Sequence, residues 1–236
     1  MIGKHYHEMT IDSTQEFAME KFKLGERNFI VSCFEQKKGK GRNEKIWEQN
    51  PVSTLCFSFA THCHEIKTLS SLEMGILIIK FFELNKNKFK FQNPMGLKWP
   101  NDILNRNNLK KIGGILINSF DESRMIVGIG INLYPEKISE EFSYLLEEKT
   151  LLNNEEAKRW AFELYHYISN NRLTTEEIKK NFLQHCVHLN QKIHFAVGDQ
   201  RKSGLFTGIG EVGEALILDI ESQQIVKLFA GSLIIS

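Results

Sequence analysis

Apolar positions along this chain change period several times, and each change marks an element. A short strand is expected at 9–12, then a helix from Ser13, where Ser13-Thr14-Gln15-Glu16 has the Ser-x-x-Glu form of a capping box. Phe17, Ala18 and Phe22 give that helix an apolar side, and Gly25 ends it before NFIVSCFE (28–35), a strand by its apolar and β-branched content. The stretch QKKGKGRNEK (36–45) is too polar for core and too rich in glycine for a regular element, which predicts a mobile loop. Trp47 returns the chain to the body, and Leu55, Phe57 and Phe59 alternate as in a strand with one buried face. Ser70-Ser71-Leu72-Glu73 predicts a second capping box, opening the apolar helix MGILIIKFFEL.

The most information-rich stretch follows at 95–119, MGLKWPNDILNRNNLKKIGGILINS. Pro100 biases Trp99 out of the helical region and Asn101-Asp102 favour a turn, so a strand ending near Lys98 should turn sharply there. The strand IGGILINS then resumes, and its Gly113 and Gly114 leave room for something to approach the backbone. Lys98 and Lys111 would flank that gap and make a seat for a carboxylate or phosphate. Taken in isolation, a solvated hairpin with surface lysines is the better reading. A strand RMIVGIGINLYP comes next, and beyond it two helices. Ala157, Trp160, Ala161, Leu164 and Ile168 recur at helical spacing, and Thr174 with Glu177 forms a third capping box ahead of Ile178, Phe182 and Cys186. After Asn190 the pattern becomes KIHFAV, KSGLFTGIG, ALILDI and IVKLFAG between polar turns, a small β-barrel packed on the main body.

Composition narrows the function classes. With 236 residues, 42% hydrophobic, 25% charged and a net charge of +1, the chain holds one sizeable core and is no generic nucleic-acid binder. No apolar signal core and no run of roughly 20 apolar residues is present, which places the protein in the cytoplasm, with no membrane partner. Cys33, Cys56, Cys63 and Cys186 lack zinc or redox spacing and read as buried free thiols, while His62 and His64 around Cys63 lack the geometry of a metal site. Gly128 and Gly130 are not followed by a third glycine and a helix, and GKGR is not followed by Lys-Ser or Lys-Thr, so neither a dinucleotide fingerprint nor a Walker loop is present.

Four stretches in order, DSTQ (12–15), QKKGKGRNEKIW (36–47), KWPNDI with KKIGGIL (98–116) and GIGINL (128–133), resemble the biotin protein ligase family, over nearly the whole chain. The resemblance implies an α+β fold: a mixed β-sheet with packed helices, of the kind shared with class II aminoacyl-tRNA synthetases. That catalytic domain would span 1–189, with a C-terminal SH3-like β-barrel at 190–236. It implies the reaction as well: biotin and ATP, with Mg2+ on the polyphosphate, give biotinyl-AMP, and the biotinyl group passes to a lysine of the biotin carboxyl carrier of acetyl-CoA carboxylase. No metal is expected to be held by protein ligands.

By resemblance Lys111 contacts both the biotin carboxylate and the phosphate, and Arg42 with Lys40 folds over the adenylate; Lys111 and Arg42 are the expected catalytic groups. Ser13, Thr14, Gln15 and Gln36 match the segment that binds the polar ring of biotin, where hydroxyls and amides suit a urea-like group. Gly41, Gly113 and Gly114 match positions where backbone lies against biotin. Lys45, Trp47, Lys98, Asn101, Asp102 and Asn132 complete the expected nucleotide side, Asn132 on adenine. Two departures stand out: Lys40 and Lys45 replace arginines of the family loop and Glu44 stands where Gly or Asn is usual, which keeps charge but loses bidentate geometry. DST begins at Asp12, which leaves no room for an N-terminal DNA-binding domain and predicts an enzyme without DNA-binding duty; a homodimer stays open. The rival readings are a lipoate ligase or octanoyltransferase of the same fold, and a non-catalytic binding protein.

Overall fold

A computed structural model describes residues 3–42, 46–47, 53–89, 93–134, 141–146, 153–197 and 200–235. A seven-stranded sheet organises the first part of the chain. Its strands are β1 (Lys4–Ile11), β2 (Phe29–Gln36), β5 (Thr54–His62), β6 (Met95–Lys98), β7 (Asp102–Asn105), β8 (Lys111–Ser119) and β9 (Arg124–Asn132), in the order β1-β2-β5-β9-β8-β7-β6. β1 runs parallel to β2 and every other pair is antiparallel, so the sheet is mixed. A short strand β3 (Gly39–Lys40), inside the glycine-rich stretch expected to be loop, pairs with β4 (Ile46–Trp47) just beyond it.

Each central strand serves two faces. Leu55, Phe57 and Phe59 of β5, with Ile129 and Ile131 of β9, bury one face beneath the helices α2 (Ser70–Leu84) and α4 (Asn154–Asn170), whose Ile76, Leu77, Ile79, Trp160 and Leu164 join the same core. On the opposite face, helix α1 (Thr14–Lys23) packs Ala18 and Phe22 against Val31, Ala60 and Ile126. Helix α1 covers only one end of that face. Beyond it the alternate positions are Ser58 and Cys56 on β5, Gly128 and Gly130 on β9, and Gly114 and Leu116 on β8, joined as the cross-strand rows Ser58–Gly128–Leu116 and Cys56–Gly130–Gly114. Three glycines in two such rows leave a depression beside the N-terminus of α1.

The helix starts differ from their sequence signals in an instructive way. Thr174 and Glu177 form the expected reciprocal box at the start of α5 (Thr175–His185), and Asn153 with Glu156 forms another at α4. The box expected at Ser70 does not form: Leu69 is the N-cap with no side-chain bond, and Ser70 Oγ instead accepts from His64 N at 3.1 Å. Glu73 has a stronger partner. It is fully buried, takes a bidentate pair from Arg172 at 2.7 Å to each oxygen, and also accepts from Leu173 N at 2.9 Å. At Ser13 half of the box survives: Ser13 Oγ accepts from Glu16 N at 3.4 Å, while the Glu16 carboxylate faces Lys40.

The C-terminal strands form a second, all-antiparallel sheet of SH3-like kind. Its strands are β10 (Lys192–Val197), β11 (Gln200–Ile209), β12 (Ala215–Asp219), β13 (Ile225–Leu228) and β14 (Ile234–Ile235), in the order β13-β12-β11-β10-β14. Its β11–β12 turn reaches the Trp-Pro-Asn-Asp turn of the large sheet: the buried Trp99 Nε1 donates to Gly213 O at 2.9 Å, and Thr68 Oγ1 donates to Val212 O. Cys33 and Cys56 are buried free thiols as expected, whereas Cys63 and Cys186 are half-buried. Among the described residues no group of three or more His, Cys, Asp and Glu is placed to hold a metal ion, and no helix is long and apolar enough to cross a membrane.

Two predictions follow from the packing. Glu73→Ala strands the Arg172 guanidinium and the Leu173 N–H, so urea denaturation should show a loss of about 3 kcal/mol. Burial pushes His5, beside His7 and Lys158, down to about 4, and pushes His188 down to about 3. An unfolded chain takes up those protons near pH 6.5, so acid favours unfolding below that value and stability should fall between roughly pH 6.5 and the folded values. The urea midpoint measured across that window should have a shallower slope in His5→Gln, which removes one of the two protons.

Candidate active site

The depression beside α1 is an open cleft with about 470 Å3 of empty space, its mouth included. Its wall is the start of α1 with Ser13, Thr14 and Gln15; its floor is Cys56, Ser58, Gly114, Gly128 and Gly130; its rim is Gln36, Lys40, Gly41, Arg42, Trp47, Asn101 and Lys111. Eleven of the expected site residues therefore meet in one place: Ser13, Thr14, Gln15, Gln36, Lys40, Gly41, Arg42, Trp47, Asn101, Lys111 and Gly114. Asp102 adjoins them through Lys111. Gly113, Lys98 and Asn132 lie outside the lining: Gly113 points to the other face of β8, Lys98 sits one strand further out opposite Asp102, and Asn132 is buried at the end of β9. Lys45, with Glu44, lies outside the described residues.

One end of the cleft is a network of amides and hydroxyls. Thr14 donates to Gln36 Oε1 from both its backbone N (2.8 Å) and Oγ1 (3.1 Å), and Ser58 Oγ donates to Thr14 Oγ1 at 2.9 Å. Gln15 Nε2 donates to Asn118 Oδ1 at 2.8 Å and to the carbonyl of Ile126 at 3.3 Å, and because a carbonyl only accepts, the orientation of the amide is fixed. Its other atom, Oε1, is buried without a partner and lies over Gly128, where an added Cβ would stand 2.5 Å away. A buried acceptor without a donor costs about 1–3 kcal/mol, and a ligand N–H would remove that cost.

The other end is cationic. A β-bulge between β7 and β8 keeps Ile112 in the core and returns Lys111 to the cleft side, where Nζ lies 2.6 Å from Asp102 Oδ1 and 5.3 Å from the centre of the Trp47 ring. Its backbone is held on the far side by Ser143 N, which donates to Lys111 O at 2.8 Å. Arg42 donates to Asn101 Oδ1 at 2.8 Å, and Asn101 in turn donates to Ile115 O at 2.9 Å, so the turn after Pro100 anchors the loop. Lys40 Nζ lies 3.2 Å from Glu16 Oε1.

Trp47 lies across the middle. Its indole rests on Gly130, where a Cβ would come within 2.5 Å of the ring, and on Gly114, where the gap would be 3.2 Å. Its buried Nε1 faces the Cys56 thiol without a hydrogen bond of normal geometry. Burial holds the Cys56 thiol well above the ordinary cysteine range, with Cys33 beside it adding to the effect. Cys56, Ser58, Gly128, Gly130 and Asn118 were not expected as site residues. The signal for the first two was available: alternation that buries Leu55, Phe57 and Phe59 on one face puts Cys56 and Ser58 on the other.

The cleft thus joins an amide-lined pocket to a lysine- and arginine-rimmed end on the mixed sheet. Solved structures share the fold. The chain aligns with a biotin protein ligase from Aquifex aeolicus in complex with biotin and ATP at TM-score 0.73 and 24% identity, covering 99% of this chain and 98% of that one. It aligns with the biotin acetyl coenzyme A carboxylase synthetase from Helicobacter pylori with bound biotinylated ATP at 0.64 and 22%, covering 95% and 99%. A biotin protein ligase from Leishmania major in complex with biotinyl-5-AMP gives 0.60 and 20%, covering 96% and 99%. At such identities the likeness is one of fold. The sequence model of the biotin/lipoate A/B protein ligase family matches residues 7–133, more than half of the chain, and the chain belongs to that family.

Gly130→Ala provides a direct test of the cleft geometry. Its Cβ has no room beneath the indole, so Trp47 should be displaced, seen as a shift in tryptophan emission at unchanged far-UV circular dichroism. An unshifted spectrum would mean that the ring does not rest on Gly130.

Proposed function

We propose that this protein is a biotin ligase: it joins biotin to AMP and transfers the biotinyl group to a lysine of a biotin carboxyl carrier domain. The observation that carries the choice among acids is Gln15 Oε1, buried and without a donor above Gly128. Biotin presents a ring N–H to such an acceptor; lipoate and octanoate carry no N–H. Gln36, Thr14 and Ser58 supply the remaining donors and acceptors for a urea-like ring. A thioester-forming transferase is disfavoured by the raised thiol of Cys56, the cysteine in the floor.

In the first step a carboxylate oxygen attacks the α-phosphorus, the new O–P bond forms and pyrophosphate leaves. Two anions must meet, so fixed cations are required. Lys111 stands at the cationic end of the cleft, and the incoming carboxylate and phosphate take over from Asp102 as partners of its ammonium. Arg42, released from Asn101, and Lys40, released from Glu16, close on the adenylate and exclude water that would hydrolyse it. Mg2+, bound to the polyphosphate rather than to protein ligands, would neutralise its charge. In the second step the carrier amine attacks the carbonyl carbon and AMP leaves. We place the activating part at 1–189, the SH3-like part at 190–236, and the whole in the cytoplasm.

Biotin-dependent exchange of labelled pyrophosphate into ATP, with lipoate and octanoate in parallel, tests this reading without a carrier. Biotin should support exchange at least tenfold faster than either rival, on the order of the cost of one unpaired buried acceptor; exchange with lipoate instead would overturn the biotin assignment. Lys111→Ala should lower the rate by about 100-fold or more at unchanged fold. Gln15→Met should weaken biotin binding by roughly 10- to 100-fold, and calorimetry showing unaltered affinity would remove Gln15 from biotin recognition.

A further inference from the structure

Among the described residues two amines line the cleft, those of Lys40 and Lys111. On the adenylating reading above, on which this inference rests, the cleft makes a mixed anhydride that reacts with amines, so each of these lysines competes with the carrier's. Both are paired with a carboxylate, unequally. Lys111 stands 2.6 Å from Asp102 with the two side chains 29% and 22% exposed, whereas Lys40 stands 3.2 Å from Glu16 with 39% and 54% exposed. So open a pair is screened by water and separates readily. Lys40 is also carried on the two-residue strand β3, between the cleft rim at Gln36 and Arg42. An arginine there would bring the same charge without a usable nucleophile, because a guanidinium does not lose its proton in proteins.

We propose that Lys40 is a self-acylation site, and that Glu16 is the residue that restrains it. When no carrier is docked, the Lys40 ammonium gives a proton to solvent and the free amine attacks the carbonyl carbon of the acyl adenylate. A C–N bond forms, the C–O bond to the phosphate breaks, AMP leaves with the electron pair, and the second proton passes to water. The product is an amide, so the cleft loses one of the three cations that line it among the described residues, Lys40, Arg42 and Lys111. Adenylation then slows. An enzyme that has run out of carrier thereby limits its own release of a reactive anhydride.

The test adds synthetic biotinyl-AMP to the full-length protein without carrier and maps acylated lysines by peptide mass spectrometry. Lys38 is the internal reference, because it lies two residues away and is more exposed, at 71%, in its own pair with Asp12. If position in the cleft governs, Lys40 should carry at least about fivefold more label than Lys38; if exposure governs, Lys38 will lead and the proposal fails. Glu16→Gln should raise labelling of Lys40 by about threefold and leave Lys38 unchanged, with far-UV circular dichroism and melting as controls on the fold. Equal labelling of Lys40 in both proteins would remove Glu16 from the restraint. Because the adenylate is supplied ready-made, failure of pyrophosphate exchange with biotin would fault the proposed ligase activity and leave this result standing on its own.

Discussion

The two-residue alternation of the central strands ties the core of this protein to its cleft. On β5 and β9 the same few residues must bury phenylalanines and isoleucines beneath two helices and, one position along, offer Cys56, Ser58, Gly128 and Gly130 to the opposite side. A slip of one residue in register would exchange the two sets, driving aromatic rings into the site and glycines into the core. The burial of large side chains on one face, worth about 25 cal/mol per Å2 of apolar surface, therefore also fixes the position of each floor residue. The cleft needs no dedicated scaffold, because it is the reverse side of the packing.

Charge in the cleft is prepared in a similar manner. Lys111, Arg42 and Lys40 each have a partner: Asp102, Asn101 and Glu16. These partners hold the cations in place along the cleft rim. The three are graded. Lys111 is braced by a bulge, by Asp102 and by the Trp47 ring, while Lys40 relies on one exposed carboxylate. That grading separates one firmly held charge on the cleft rim from looser ones beside it.

Much of this was legible in the sequence, and the failures have physical reasons. The Trp-Pro-Asn-Asp turn, the strand IGGILINS and the cluster of Ser13, Thr14, Gln15, Gln36, Arg42 and Lys111 were read from turn chemistry and a family resemblance, and they converge in one cleft. Ser70 and Glu73 misled because a capping signal is local, whereas Glu73 answers to Arg172, 99 residues away. The glycine-rich stretch looked shapeless because two-residue strands carry no period to detect. Asn118 escaped notice for a related reason: its value lies in orienting Gln15 from across the sheet, and nothing in its neighbours along the chain announces that.

The bond from Trp99 to Gly213 joins the two sheets at the residue pair that precedes Asn101 and Asp102. The SH3-like sheet is thus a brace for the cleft-bearing sheet rather than a detachable accessory. Cutting the chain ahead of it would leave a buried indole N–H without an acceptor at the root of the turn that holds both Arg42 and Lys111. For anyone engineering a minimal version, the tolerable splice points lie outside this joint. The C-terminal turn at 210–214 must travel with the cleft as one unit of inheritance.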